Sequence, residues 1–178
     1  MDALEELVEK YGGIYEAEPL KFTYYTDGKH YSQPLRARVE FRGRIVDIGG
    51  NVTGGTGLLF STPTKVKFEQ YFGIYPRGYY AQLFYRLFPN WKYNFPPIIH
   101  KNYVFKGKTQ WLKKIRANQE LMNLMSHTYL SIHSRNSDKE RLYMMPLYGV
   151  KGTIEELEML SSILCLIANE IEKEPFSY

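Results

Sequence analysis

Apolar and polar positions along the chain alternate in two different rhythms, and the change of rhythm marks the elements. Leu4, Leu7 and Val8 form one stripe among acidic residues. This predicts a short helix over Asp2–Lys10, with Asp2 able to cap it and Gly12-Gly13 ending it. Ile14 to Thr26 is rich in Tyr, Phe and Thr and predicts a strand interrupted near Pro19, with a turn at Asp27-Gly28. Leu35–Ile48 has the clearest strand pattern, in which Ala37, Val39 and Phe41 alternate with Arg36, Arg38, Glu40 and Arg42. The parity shifts near Gly43, so that Val46 and Ile48 fall on the other set; a bulge, or burial of both faces, would produce this. Gly49–Gly57 holds five glycines and reads as a loop. Leu58–Phe72 predicts a further strand, with Val66 and Phe68 inward and Lys65 and Lys67 outward.

Beyond Phe72 the helical rhythm returns. A short helix over Gly78–Phe88 gathers Tyr80, Phe84 and Phe88 on one side. Asn102–Lys106 predicts a strand, and Thr109 can cap a helix running to Met125. Tyr129–Ser134 and Arg141–Leu147 predict a hairpin. Thr153 and Glu156 form a capping box for a last helix to Lys173, with Leu157, Leu160, Leu164 and Ile167 at helical spacing. This order predicts an α+β fold in a single domain, residues 1–178: an antiparallel sheet of about five to six strands covered by helices, with N-terminal and C-terminal helices flanking.

Four pieces of the second half, Tyr75-Pro76-Arg77-Gly78, Val104-Phe105-Lys106-Gly107, the Trp111–Met125 helix and the Thr153–Lys173 helix, resemble an uncharacterised bacterial domain family over the chain from about Glu69 onward. In that family a strand leads through a glycine and a short aliphatic-aromatic helix to a strand of the form F-x-V-K-G, then to a helix, a hairpin and a closing helix. Some members carry transmembrane segments ahead of the domain. The resemblance implies an α+β fold and no particular activity.

Charge changes this picture more than composition does. The chain has 178 residues and a net charge of +4. From Gln70 to Gln119 there are nine bases, fourteen aromatics and no Asp or Glu, whereas the remainder carries 14 bases against 19 acids. A basic region attracts acidic protein, an anionic surface or phosphate. No apolar run reaches the ~20 residues of a membrane span, and the acidic N-terminus has no apolar leader. With a single cysteine, Cys165, set in an apolar helical stretch, these features predict a soluble cytoplasmic protein.

Catalytic signatures are absent. The glycine loop lacks the Lys and hydroxyl of a phosphate-binding loop and precedes a strand pattern. His30, His100, His127 and His133 are not spaced as metal ligands, and no residue set calls for a cofactor. Asp47, beside the glycine loop, is the one carboxylate placed for a small-molecule pocket, which leaves an enzyme as one alternative. Arg36, Arg38, Arg42 and Arg44 share parity, and with Lys65 and Lys67 they would line one basic sheet face able to hold single-stranded nucleic acid. A solvated outer face is the competing reading. The leading expectation is a non-catalytic module that binds a macromolecular partner through the aromatic, basic middle segment, with Tyr79, Tyr80, Phe84, Arg86, Trp91 and Lys92 as contact residues. A second copy of the chain would serve as partner equally well.

Overall fold

In a computed structural model, which describes residues 3–19, 21–25, 28–51, 57–78, 95–147 and 152–173, the first amphipathic stripe folds as expected. Helix α1 (Ala3–Tyr11) buries Leu4 and Leu7. Strand β1 (Gly13–Ala17) follows, and β2 (Lys21–Tyr25) and β3 (Gly28–Ser32) pair as a separate two-stranded sheet. The pattern that begins at Leu35 makes two strands rather than one, β4 (Pro34–Phe41) and β5 (Arg44–Asn51). Between them Arg42 and Gly43 have φ of 52° and 70°, the pair of left-handed residues that a two-residue hairpin requires. The parity shift near Gly43 is therefore a chain reversal and not a bulge.

The expected glycine loop begins later than predicted, because Gly49 and Gly50 still pair with Arg36 and Leu35 in the hairpin. Strand β6 (Leu59–Pro63) is shorter than expected and ends at proline; Lys65 and Lys67 lie in the irregular segment behind it. Strand β7 (Gly73–Pro76) comes next. The expected helix over Gly78–Phe88, and with it Tyr79, Tyr80, Phe84, Arg86, Trp91 and Lys92, falls outside the described residues beyond Gly78.

Helix α2 (Pro97–Asn102) leads into β8 (Tyr103–Lys106). The helix expected over Thr109–Met125 is two helices, α3 (Thr109–Ala117) and α4 (Gln119–Ser126). Asn118 separates them: its extended backbone ends α3, and its side chain accepts from Leu121 N at 2.9 Å to cap α4. Thr109 is not a cap, because that position is taken by Lys108, which has no capping side-chain bond. The hairpin of β9 (Leu130–Arg135) and β10 (Asp138–Pro146) and the last helix, α5 (Ile154–Glu172), form as predicted. Thr153 Oγ1 accepts from Glu156 N, while Glu156 Oε2 accepts from Gly152 N, one residue before the expected partner.

The main sheet has eight strands, all antiparallel, in the order β1-β4-β5-β6-β10-β9-β7-β8. That is more than the five to six expected, because the split at Gly43 and the short β7 each add one. Successive side chains of a strand point to opposite faces. One face carries Ala37, Val39, Val46, Ile48, Phe60, Leu142, Met144, Ile132 and Ile74, all buried. Helix α5 lies over it, touching β4, β5, β6 and β10, with α1, α3 and α4 packed beside it. Leu157, Leu160, Leu164 and Ile167 all point into this core. The opposite face holds the alternate residues and no described helix packs on it.

Candidate functional site

The open face is organised by register. Ile14 stands opposite Arg38, Arg38 opposite Asp47, and Asp47 opposite Ser61. Ser61 stands opposite Tyr143, Tyr143 opposite His133, His133 opposite Gly73, and Gly73 opposite Lys106. One rank thus crosses all eight strands, and its two halves differ in chemistry.

The half on β1, β4, β5 and β6 carries a polar network that Arg141 and Asp138 of β10 complete. Asp47 Oδ1 accepts from Arg38 Nε at 2.6 Å, and Oδ2 accepts from Arg141 at 2.5 Å. The same Arg141 nitrogen also reaches Ser61 Oγ at 3.1 Å, and its Nε lies 3.4 Å from Asp138. Partial burial pushes the Asp47 carboxyl up, but the bonds from Arg38 and Arg141 outweigh it and hold the group below its ordinary value of 3.8. Beside this network a groove of about 430 Å³ runs over Gly49, between Ile14, Arg36 and Leu59. It is the pocket expected near Asp47. A carboxylate with both oxygens taken by guanidinium groups is a poor proton carrier, however.

The half on β10, β9, β7 and β8 is a file of rings. The planes of His133 and Tyr143 lie 23° apart with centroids at 6.1 Å, those of Tyr75 and His133 19° apart at 6.4 Å, and those of Tyr71 and Tyr75 6° apart at 6.2 Å. Tyr71 is 45% exposed and the other three are half-buried. The Arg135 guanidinium sits 4.0 Å from the Tyr143 ring centroid, and the Tyr143 hydroxyl donates to Asp138 at 2.9 Å. Tyr75 lies over Gly73: a Cβ there would meet ring carbons at 2.4 and 2.8 Å and the hydroxyl at 2.7 Å. Burial, then the nearby Arg135, push His133 below its ordinary value of 6.5, so the ring is neutral at pH 7.

The file ends at the acid-free part of the chain. Lys106 closes the rank on the edge strand β8, exposed; Lys101 is exposed in α2, Lys108 follows β8, and the half-buried Arg77, just after β7, donates to Tyr103 O at 3.2 Å. Lys108 Nζ stands 5.1 Å over the Trp111 ring.

Of the predicted contact residues, Arg36 and Arg38 are exposed on the open face, at the polar half. The remaining bases do not join them, so no six-base surface forms. The reversal at Arg42-Gly43 sends Arg42 to Glu120 of α4 at 2.7 Å and Arg44 to Asn169 and Glu172 of α5. Lys65 and Lys67 follow the end of β6, where the Lys65 amide donates to Glu172 at 2.8 Å. Residues not among the predicted contacts, His133, Arg135, Arg141 and Tyr143, make most of those on the open face. Their signal was present in the predicted hairpin, where odd positions on both arms share a face. Cys165 is buried against Phe41, and burial raises its thiol to about 11, as an inert core residue requires. Among the described residues no cluster of His, Cys, Asp or Glu could hold a metal ion, and no helix is long and apolar enough to cross a membrane.

Comparison with known proteins gives no match to this chain among family models, curated sequences or solved structures.

Proposed function

We propose that the protein is a non-catalytic recognition module that binds an anionic macromolecular partner on the aromatic half of its open sheet face. The observation that carries this reading is the file Tyr71, Tyr75, His133 and Tyr143 running into an edge whose sequence contains no acid. Rings on an open face offer apolar area that water solvates poorly, and bases at their end select for negative charge. The residues between β7 and α2, including Tyr79, Tyr80, Phe84, Arg86, Trp91 and Lys92, belong to the same acid-free stretch of sequence and enter the proposal on their composition.

An enzyme in the groove at Asp47 is less well supported. That carboxylate is doubly bound by Arg38 and Arg141, and the other acid lining the groove, Glu16 on β1, stands opposite Arg36, so among the described residues no proton donor or acceptor of opposite role is bonded to it.

Immobilised heparin, a polyanion with no aromatic rings, tests the charge side of the proposal. Lys106→Glu should elute at distinctly lower salt than the wild type. Lys113→Glu makes the same change in net charge on an exposed position of α3, outside the sheet, and should elute closer to the wild type. Equal shifts for the two variants would mean that net charge alone governs retention, and the site assignment would fail.

A further inference from the structure

We infer that the anionic partner is a single-stranded nucleic acid, with its bases laid on Tyr75, His133 and Tyr143 and its phosphates met at the Lys106 edge. This rests on the recognition reading above and adds the class of partner.

The argument begins with what the face asks of a ligand. Three rings in near-parallel planes at 6.1 and 6.4 Å spacing present flat apolar area in a line. The exposed Lys106 stands at the end of that line, and the sequence around it, Gln70 to Gln119, holds no carboxylate to oppose an incoming anion. An acidic peptide would satisfy the bases and leave the rings unmatched. An apolar protein surface would do the reverse. A double helix offers phosphates but keeps its bases stacked inside. A single strand presents a charged backbone and unpaired flat rings together, and aromatic side chains on a sheet beside basic residues are the chemistry that holds it.

Three details fit the same ligand. Arg135 lies over the Tyr143 ring, 4.0 Å from its centroid, so on that side a base stacks on the guanidinium plane that the ring supports. Gly73 removes the side chain that would lift Tyr75 away from the sheet. The acids nearest the file are each paired with a guanidinium: Asp138, which accepts from Tyr143 at the end of the file, also pairs with Arg141, and Asp47 is held by Arg38 and Arg141.

The test compares fluorescein-labelled oligo(dT) of about 12 nucleotides, within the site sizes typical of single-strand binders, with an abasic sugar-phosphate oligomer of the same length and with a duplex. Anisotropy titrations on the full chain should show oligo(dT) binding tightest. Tyr143→Leu and His133→Leu remove rings while keeping bulk, and each should weaken oligo(dT) binding by roughly tenfold without changing the abasic affinity. His133→Phe keeps the ring and should keep the affinity, and melting curves of all variants report whether each remains folded. Equal binding of the abasic and base-bearing oligomers would overturn the nucleic-acid inference while leaving an anionic partner in place. So would a duplex that binds as well as the single strand, or oligo(dT) binding indifferent to the rings. No binding of any oligomer, with heparin retention still dependent on Lys106, would remove this inference alone. No binding together with equal heparin shifts would remove both readings.

Discussion

The two halves of the open face share one sheet and one rank of residues, yet they meet their charges in opposite ways. On the β4–β5–β6 side, Arg38, Asp47, Ser61 and Arg141 satisfy one another. On the β9–β7–β8 side, rings follow one another in a file and the exposed Lys106 stands on an edge strand in the acid-free part of the sequence. The difference teaches that a count of charges on a face is a poor guide to binding. Arginines already holding carboxylates have little left to offer, because a partner must first displace a hydrogen bond worth more than a neutral one. Stability should reside in the covered face and the polar half, and recognition in the aromatic half.

The largest effect expected is on what both halves rest upon. Leu164→Ala, in the helix that closes the core, should lower unfolding free energy by ~2–5 kcal/mol. Urea unfolding measures it, and a loss under ~0.5 kcal/mol, the range of a surface substitution, would mean that α5 does not close the core. Within the open face, Asp47→Asn should cost about 1–2 kcal/mol, less than a fully buried pair because the carboxylate is partly exposed. It leaves Arg38 and Arg141 facing a neutral amide. The midpoint should fall with the denaturant slope unchanged, and oligo(dT) affinity should not fall with it. A loss of affinity equal to that of Tyr143→Leu would erase the division between the halves.

The smallest effect is a pH dependence. Burial pushes both His133 and His100 below 6.5, helped by Arg135 and Arg77 respectively. The unfolded chain therefore binds protons first as pH falls, so their contribution is fully present above pH 6.5 and is lost as pH drops toward their folded values. Asp47 adds a separate loss, present above its ordinary 3.8 and disappearing as pH falls through its lowered value. Thermal melts between about pH 7 and 5 should show a decline in the wild type that is shallower in His133→Phe. A wild-type profile that is flat over this range would show that burial does not penalise the charged imidazole.

Much of the fold could be read from periodicity, where one rule governed a long segment. Thr153–Lys173 has apolar residues at every helical repeat and a capping box, and Ala37, Val39 and Phe41 alternate cleanly. The reversal at Arg42-Gly43 was not legible as a turn. Arginine rarely takes a left-handed φ, and its side chain continues the basic alternation of the strand before it. That single misreading carried Arg42 and Arg44 onto the wrong face and inflated the basic surface. The break at Asn118 was hidden for a related reason, since leucine and isoleucine spacing runs through it while the side chain caps the next helix. The acid-free stretch was visible in the sequence, but its neighbours were not. Tyr75 is distant in the chain from His133 and Tyr143, which share the predicted hairpin, and the three meet only through the registers of β7, β9 and β10.

The placement of α5 also has a consequence for the order of assembly. It is the last described element to be synthesised, and it touches the first, with Tyr11 donating to Glu158 at 2.9 Å and Lys10 pairing with the same carboxylate. Until residues 154–172 leave the ribosome, Val46, Phe60, Leu142 and Met144 have no α5 to cover them. The apolar side of β4, β5 and β6 therefore stays without α5 while β7–β10 are made, the condition under which nascent chains aggregate. Closing it requires contacts between residues more than a hundred positions apart, which makes folding slow as well as late.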